Sequence, residues 1–275
     1  MISGDTENTT RHALGEDMDF SREEILKKYI SIYKQFVAPY EPDFEVAEGM
    51  TRYVKFNDAW RFLDPYDTFL ISRLTNKKNT FPKVPSAKIP KNADPENYVT
   101  LRFDPAGELR WSKTGSDNGD GTVILYVSKQ LTIGYFVRSS QGKVTSHKLA
   151  FFDWYEYDDA GRLIAAEEYR GKGIPEEGIL INCEYYEYDG DVLSRAWKFD
   201  KFESHPMPMV MDLVLRMVPD RIMKPERFAY TFRRVADGLD YTLEQFYRKS
   251  QTITHEGHIP EAVLEHLAAN GIRLV

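Results

Sequence analysis

Two periods of hydrophobic recurrence divide this chain. From residue 21 to 37 the apolar positions return every three to four residues: Ile25, Tyr29, Tyr33, Phe36 and Val37, alongside Leu26 and Ile30. That spacing predicts an amphipathic helix. Ser21 and Glu24 form an S-x-x-E capping box, Phe20 and Ile25 are placed for a hydrophobic staple, and Pro39 ends the run. Between 44 and 74 the pattern is mixed. TRYVKF alternates as a strand does, whereas DAWRFL and DPYDTFLISRL read as short helices, the second with Asp64 at the N-cap and Pro65 in the first helical position.

Residues 75 to 97 break both periods. Pro82, Pro85, Pro90 and Pro95 alternate with five lysines, the composition of an extended strap. From residue 98 onward apolar residues recur at every second position, punctuated by turn signals. FDPAG, SSQG and YDDAG each set Asp or Ser three residues before glycine, at Asp104–Gly107, Ser139–Gly142 and Asp158–Gly161. An oxygen-bearing side chain at the first turn position and a left-handed glycine at the fourth are what a type I turn with a G1 bulge requires. An apolar residue follows two places on, as Leu109, Val144 and Leu163. YDGDVL is a shortened version, and ADGL at Asp237–Gly238 a more distant one. The unequal spacing of these turns argues against a fixed-period solenoid and for one curved antiparallel meander of roughly eight to twelve strands. Two further segments interrupt it. Residues 207 to 225 carry five of the eight methionines and read as a short buried helix or apolar loop, while Pro260, Val263, Leu264 and Leu267 predict a C-terminal helix closed by Asn270-Gly271, with Ile272 folding back on Leu267.

The fold expected is therefore α+β. A flexible tail (1–19) precedes an N-terminal helical part (20–74), then the Pro/Lys-rich strap (75–97) and a large twisted antiparallel sheet with its C-terminal helix (98–275). The hairpin units at Tyr155, Tyr157, Asp158, Gly161, Arg162 and Leu163, and in part at Tyr186, Tyr188, Asp189 and Leu193, resemble the YD repeat of Rhs and teneurin-type bacterial shell proteins. Phe103, Asp104, Gly107 and Leu109 match it more weakly. The resemblance covers a minority of the chain and implies a series of β-hairpins.

Composition sharpens this picture in three ways. Aromatic residues make up 13% of the chain, which suits pleated, half-buried surfaces. The net charge of −7 and the lack of a basic stripe count against nucleic-acid binding and favour a basic partner. The single cysteine, Cys183, allows no internal disulfide, and the polar, acidic N-terminus does not resemble a signal peptide. With no apolar run of about eighteen residues, no membrane span is expected. A cytoplasmic location follows as the expectation.

Catalytic signatures are missing from the sequence. HEGH (255–258) lacks the four-residue spacing of zincins and reads as surface histidines flanking a helix start. GKGIPEEG lacks the Lys-Ser/Thr pair of a phosphate loop. Cys183 has no histidine or second cysteine nearby and reads as a buried structural thiol. No catalytic residue, metal or cofactor is assigned. The strands offer a better candidate: by alternation Trp154 and Glu156, Glu184 and Tyr186, and Arg195 and Trp197 each share a strand face. Were the three faces to coincide, carboxylates, an arginine and indoles would line one surface able to hold a basic protein. The reading this supports is a non-enzymatic binding protein, in its most concrete form an immunity protein that neutralises a cognate bacterial toxin. The alternative is a β-cavity protein or lipocalin-like cyclase or isomerase, with Glu156, Glu184 or a tyrosine as acid and base.

Overall fold

The computed structural model describes residues 22–45, 49–55, 85–115, 117–170, 179–200, 226–247 and 251–269. The short helices at DAWRFL and DPYDTFLISRL, the methionine-rich segment and the Asn270-Gly271 cap lie outside them.

The first helix, α1 (Arg22–Ile32), continues as one wider π-type turn (Tyr33–Val37). Its apolar stripe buries Tyr29, Ile32 and Val37, and the helix ends just ahead of Pro39. Twelve strands follow: β1 (Met50–Lys55), β2 (Tyr98–Phe103), β3 (Leu109–Gly115), β4 (Gly119–Ser128), β5 (Leu131–Ser140), β6 (Lys143–Tyr157), β7 (Leu163–Arg170), β8 (Ile179–Asp189), β9 (Val192–Asp200), β10 (Glu226–Val235), β11 (Gly238–Tyr247) and β12 (Gln251–Pro260). A second helix, α2 (Glu261–Ala269), starts directly after Pro260. All twelve strands form one sheet in sequence order, and every pairing is antiparallel. The described chain is thus predominantly β, a meander with a helix at either end, rather than an even mixture of helix and sheet. The TRYVK stretch (51–55) lies in β1 as its alternation predicts, so the sheet recruits a strand from the segment read as a helical part.

The Asp-x-x-Gly turns at Asp104 and Asp158 share one hydrogen-bond scheme, the arginine coming from six residues on in the first and four in the second. The glycine N–H donates to the aspartate carbonyl, at 2.9 Å in both. One carboxylate oxygen accepts from the backbone four residues on, Glu108 at 2.9 Å and Arg162 at 2.8 Å. The other oxygen takes an arginine Nε at 2.7 Å, from Arg110 and Arg162 respectively. Gly107 and Gly161 sit at φ +88° and +77°, in the left-handed region that a Cβ disfavours. Register shifts at Arg102/Phe103 and Glu156/Tyr157 lie at the base of these turns. The SSQG unit departs from this scheme. Ser140 pairs with Lys143, leaving a two-residue turn of Gln141 and Gly142 with φ of 53° and 77°. Ser139 is a buried strand residue, not a turn corner. The β3–β4 tip pins that tight turn, since Asn118 Oδ1 accepts from Gln141 N–H (2.7 Å) and the Asp117 carbonyl from Gly142 N–H (3.0 Å).

The second tyrosine of each Y-x-Y-D unit stitches its hairpin to the preceding one. Tyr157 OH donates to the Lys129 carbonyl and lies under the Lys129 ammonium, 3.9 Å from the ring centre. Tyr188 OH donates to the Leu163 carbonyl while the Arg162 guanidinium lies 4.5 Å from its ring. The same contact thus recurs one hairpin later.

Register assigns the side chains to two faces. On face A, α1 packs over Phe152, Tyr169 and Cys183, in a cluster reaching from Trp111 to Trp197. On face B, Tyr155, Ala166, Tyr186, Leu193, Ala196, Tyr230 and Leu239 form a core with Leu264 of α2. Bidentate contact between Arg234 and Glu261 fastens α2 to β10. A smaller cluster of Val54, Val99, Leu101, Leu109 and Tyr126 lies at the β1 end.

Candidate functional site

Face A beside α1 holds the mixture of aromatic and charged groups that a binding surface needs. Cross-strand partners point the same way, so Glu156, Ala165, Tyr185, Trp197, Ala229 and Glu244 form one row over six strands. Glu187, Arg195 and Thr231 form the next row. Trp154 belongs to the same face, opposite Glu167, its ring 4.9 Å from that of Phe36 at the end of the helical segment. Trp154, Tyr185, Trp197, Glu156 and Glu187 are half-buried and Arg195 is exposed. The indoles therefore rest on the core and still reach solvent, with carboxylates at their sides.

Glu184 and Tyr186 do not join them. Glu184 pairs with Ala166 and Lys198, and Tyr186 with Ala196, which places both on face B. There they are buried, and the Tyr186 hydroxyl donates to Glu184 Oε2. The expected six-residue surface is thus four residues on one face and two on the other. The cause is parity. Alternation fixes which residues of one strand agree, but only the interstrand register fixes which strands agree with each other. A cavity lined by Trp154, Tyr186 and Trp197 together is not formed, and Glu156 and Glu184, on opposite faces, do not converge on one substrate. His255 and His258 lie on β12, three apart, so they point to opposite faces; His258 Nδ1 is 2.9 Å from Asp240. Among the described residues no group of three metal-ligating side chains converges.

A cluster that sequence reasoning missed lies at the junction of α1 and face A. Glu167 is 3% exposed and accepts from Tyr169 OH and Tyr185 OH, both at 2.7 Å. Lys28 of α1 reaches Glu167 at 2.5 Å and Glu156 at 3.1 Å. Burial alone would lower the Lys28 ammonium, but the Glu167 and Glu156 carboxylates outweigh it and hold the group above its ordinary value. Burial, reinforced by the Glu167 charge, pushes the Tyr169 hydroxyl far above the usual tyrosine range. Tyr185 is raised by burial, then by Cys183 and Glu167. Both phenols therefore stay protonated and donate. With its oxygens occupied by an ammonium and two hydroxyls, Glu167 works as a fastening for α1. Cys183, 2% exposed and beneath the same cluster, is the buried thiol its sequence context implies. The usable signal was the pair Glu167-Glu168 inside LIAAEEYR, since consecutive strand residues must send one carboxylate to each face.

No family model and no curated protein matches this sequence. Among solved structures the chain is similar to a DUF3836 family protein from Parabacteroides distasonis ATCC 8503. The match has 8% identity, 57% coverage of this chain, 94% coverage of that one and a TM-score of 0.21. A score that low supports neither a shared fold nor a shared function. No helix among the described residues is long and apolar enough to cross a membrane.

Proposed function

We propose that this is a non-enzymatic binding protein that docks a basic partner protein on face A. One observation carries the reading: half-buried Trp154, Tyr185 and Trp197 share face A with Glu156 and Glu187 on a surface that solvent reaches. Aromatic anchors that rest on a core lose little freedom on binding, and flanking carboxylates steer a cationic partner. The net charge of −7 acts in the same direction at longer range.

In its most specific form the partner is a bacterial toxin domain with a basic active site, and the protein is its cytoplasmic immunity protein. Blocking such a site needs a rigid scaffold and opposite charge, and the YD-like hairpins agree with an Rhs-type setting. The test is capture of the partner from native lysate with tagged full-length protein, followed by kinetics on the purified pair. Association should slow as salt rises, and Trp197→Ala should weaken binding by about 2 kcal/mol. A salt-independent association rate, or unchanged binding by both Trp197→Ala and Glu156→Lys, rejects the reading.

A further inference from the structure

The two edges of the sheet are finished differently. On β1, Tyr53 exchanges both backbone hydrogen bonds with Ser86 (2.8 and 2.9 Å), so a piece of the proline-bearing strap occupies the outer edge. Nothing comparable covers β12 among the described residues. Its ladder with β11 runs from Gly238↔Pro260 to Tyr247↔Gln251 without a register shift. Ile253, Thr254, His255 and Glu256 are all exposed, Ile253 at 42%. Natural sheets blunt such an edge with charged side chains, lysine above all, an internal proline, a bulge or short length; on β12 Glu256 is the one acidic or basic residue besides the two histidines. β12 has ten residues, no lysine, no bulge against β11, and proline only at its last position.

Charge identifies the occupant. On face A at this edge, Asp240 is already held by His258 (2.9 Å) and Arg233 (3.1 Å). Glu256, opposite Thr242, and Glu244, opposite Thr254, are diagonal neighbours, both exposed and with no ion pair among the described residues. They continue the rows that contain Glu156, Trp197 and Arg195. We infer that β12 is a strand-addition site that takes an extended segment bearing lysine or arginine at alternate positions. The added strand becomes a thirteenth, its backbone pairs with the free edge, and its cations meet Glu244 and Glu256. The inference rests on the proposed function only for the sign of the partner's charge.

The probe is a synthetic ten-residue peptide alternating threonine and lysine, with a threonine–glutamate peptide as control, read by amide hydrogen exchange on the full chain. Expected is slowed exchange confined to residues 251–260 with the lysine peptide and no change with the glutamate peptide. Glu244→Lys/Glu256→Lys, two exposed substitutions that leave the melting transition in place, should weaken the effect about tenfold. No protection at about 1 mM peptide overturns the inference. Protection on β6, β8 and β9 instead also overturns it, while leaving the face A reading standing. A doubled mass in solution with β12 protected before any peptide is added assigns the edge to a second copy and overturns it as well. Protection at β12 that is unaltered by Trp197→Ala supports strand addition even if the face A reading fails.

Discussion

One buried carboxylate, Glu167, anchors Lys28 of α1 to the sheet. Removing its charge leaves Lys28, among the described residues, with the more exposed Glu156 as its one counter-ion. Glu167→Gln should therefore lower stability by about 2 kcal/mol, read as a shifted urea midpoint with unchanged slope. The same cluster sets the alkaline limit. Lys28, Tyr169 and Tyr185 all have folded-state pKa values above their unfolded ones. The folded chain thus holds protons that the unfolded chain releases, and the contribution of these groups to stability is fully present below about pH 10 and falls as pH rises beyond it. Tyr135, pushed up to about 12 by burial and by Tyr40 and Tyr33, contributes in the same sense. Lys28→Met should flatten part of that loss in melting curves taken between neutral and strongly alkaline pH. The acid side has the opposite sign. Asp158 is held below its ordinary value because hydrogen bonds and charge from Arg162 outweigh the effect of burial, so its contribution is present above about pH 4 and lost as pH falls further.

At the scale of elements, the sequence was most legible where chemistry is local. The helix from 22, the strand at TRYVK and the Asp104 and Asp158 corners all follow from spacing and turn chemistry within a few residues. Ser139 shows the limit. Ser-x-x-Gly satisfies the four-residue scheme, yet Gln141-Gly142 suits a two-residue turn and the neighbouring hairpin tip holds it there. The role of Tyr157 and Tyr188 was equally hidden, because their partners lie in the preceding hairpin. Tyr188→Phe should cost about 1 kcal/mol by losing the bond to the Leu163 carbonyl, and Tyr188→Leu about 1 kcal/mol more by also losing the Arg162 stack. Gly161→Ala, at φ +77°, should cost about 1 kcal/mol, read as a lower melting temperature.

At the scale of the whole molecule the decisive quantity is sheet parity. Trp154, Glu156, Arg195 and Trp197 share face A, and Glu184 and Tyr186 share face B. No pattern within one strand distinguishes that outcome from its reverse, since each bulge resets the phase between neighbours. The bulges at Glu156/Tyr157, Glu168/Tyr169 and Glu187/Tyr188 are three such resets within the candidate region. The division predicts different behaviour for the two glutamates. Glu156→Gln, which removes the charge without setting a second cation beside Lys28, should weaken binding of the proposed basic partner with only a small change in the unfolding midpoint. Glu184→Lys, which places a charge in the face B core, should unfold the protein, checked by circular dichroism before any binding assay.

Strict sequence order in the sheet has a consequence for how the molecule comes into being. Every described ladder joins strands consecutive along the chain, so during synthesis each new hairpin can close as soon as its second arm has left the ribosome. Growth of this kind always leaves its newest strand as the open margin, and each margin is covered by the next arrival. Among the described strands β12 is the last to be added, so the edge proposed to take a partner strand is also the one that the hairpin-by-hairpin order completes last.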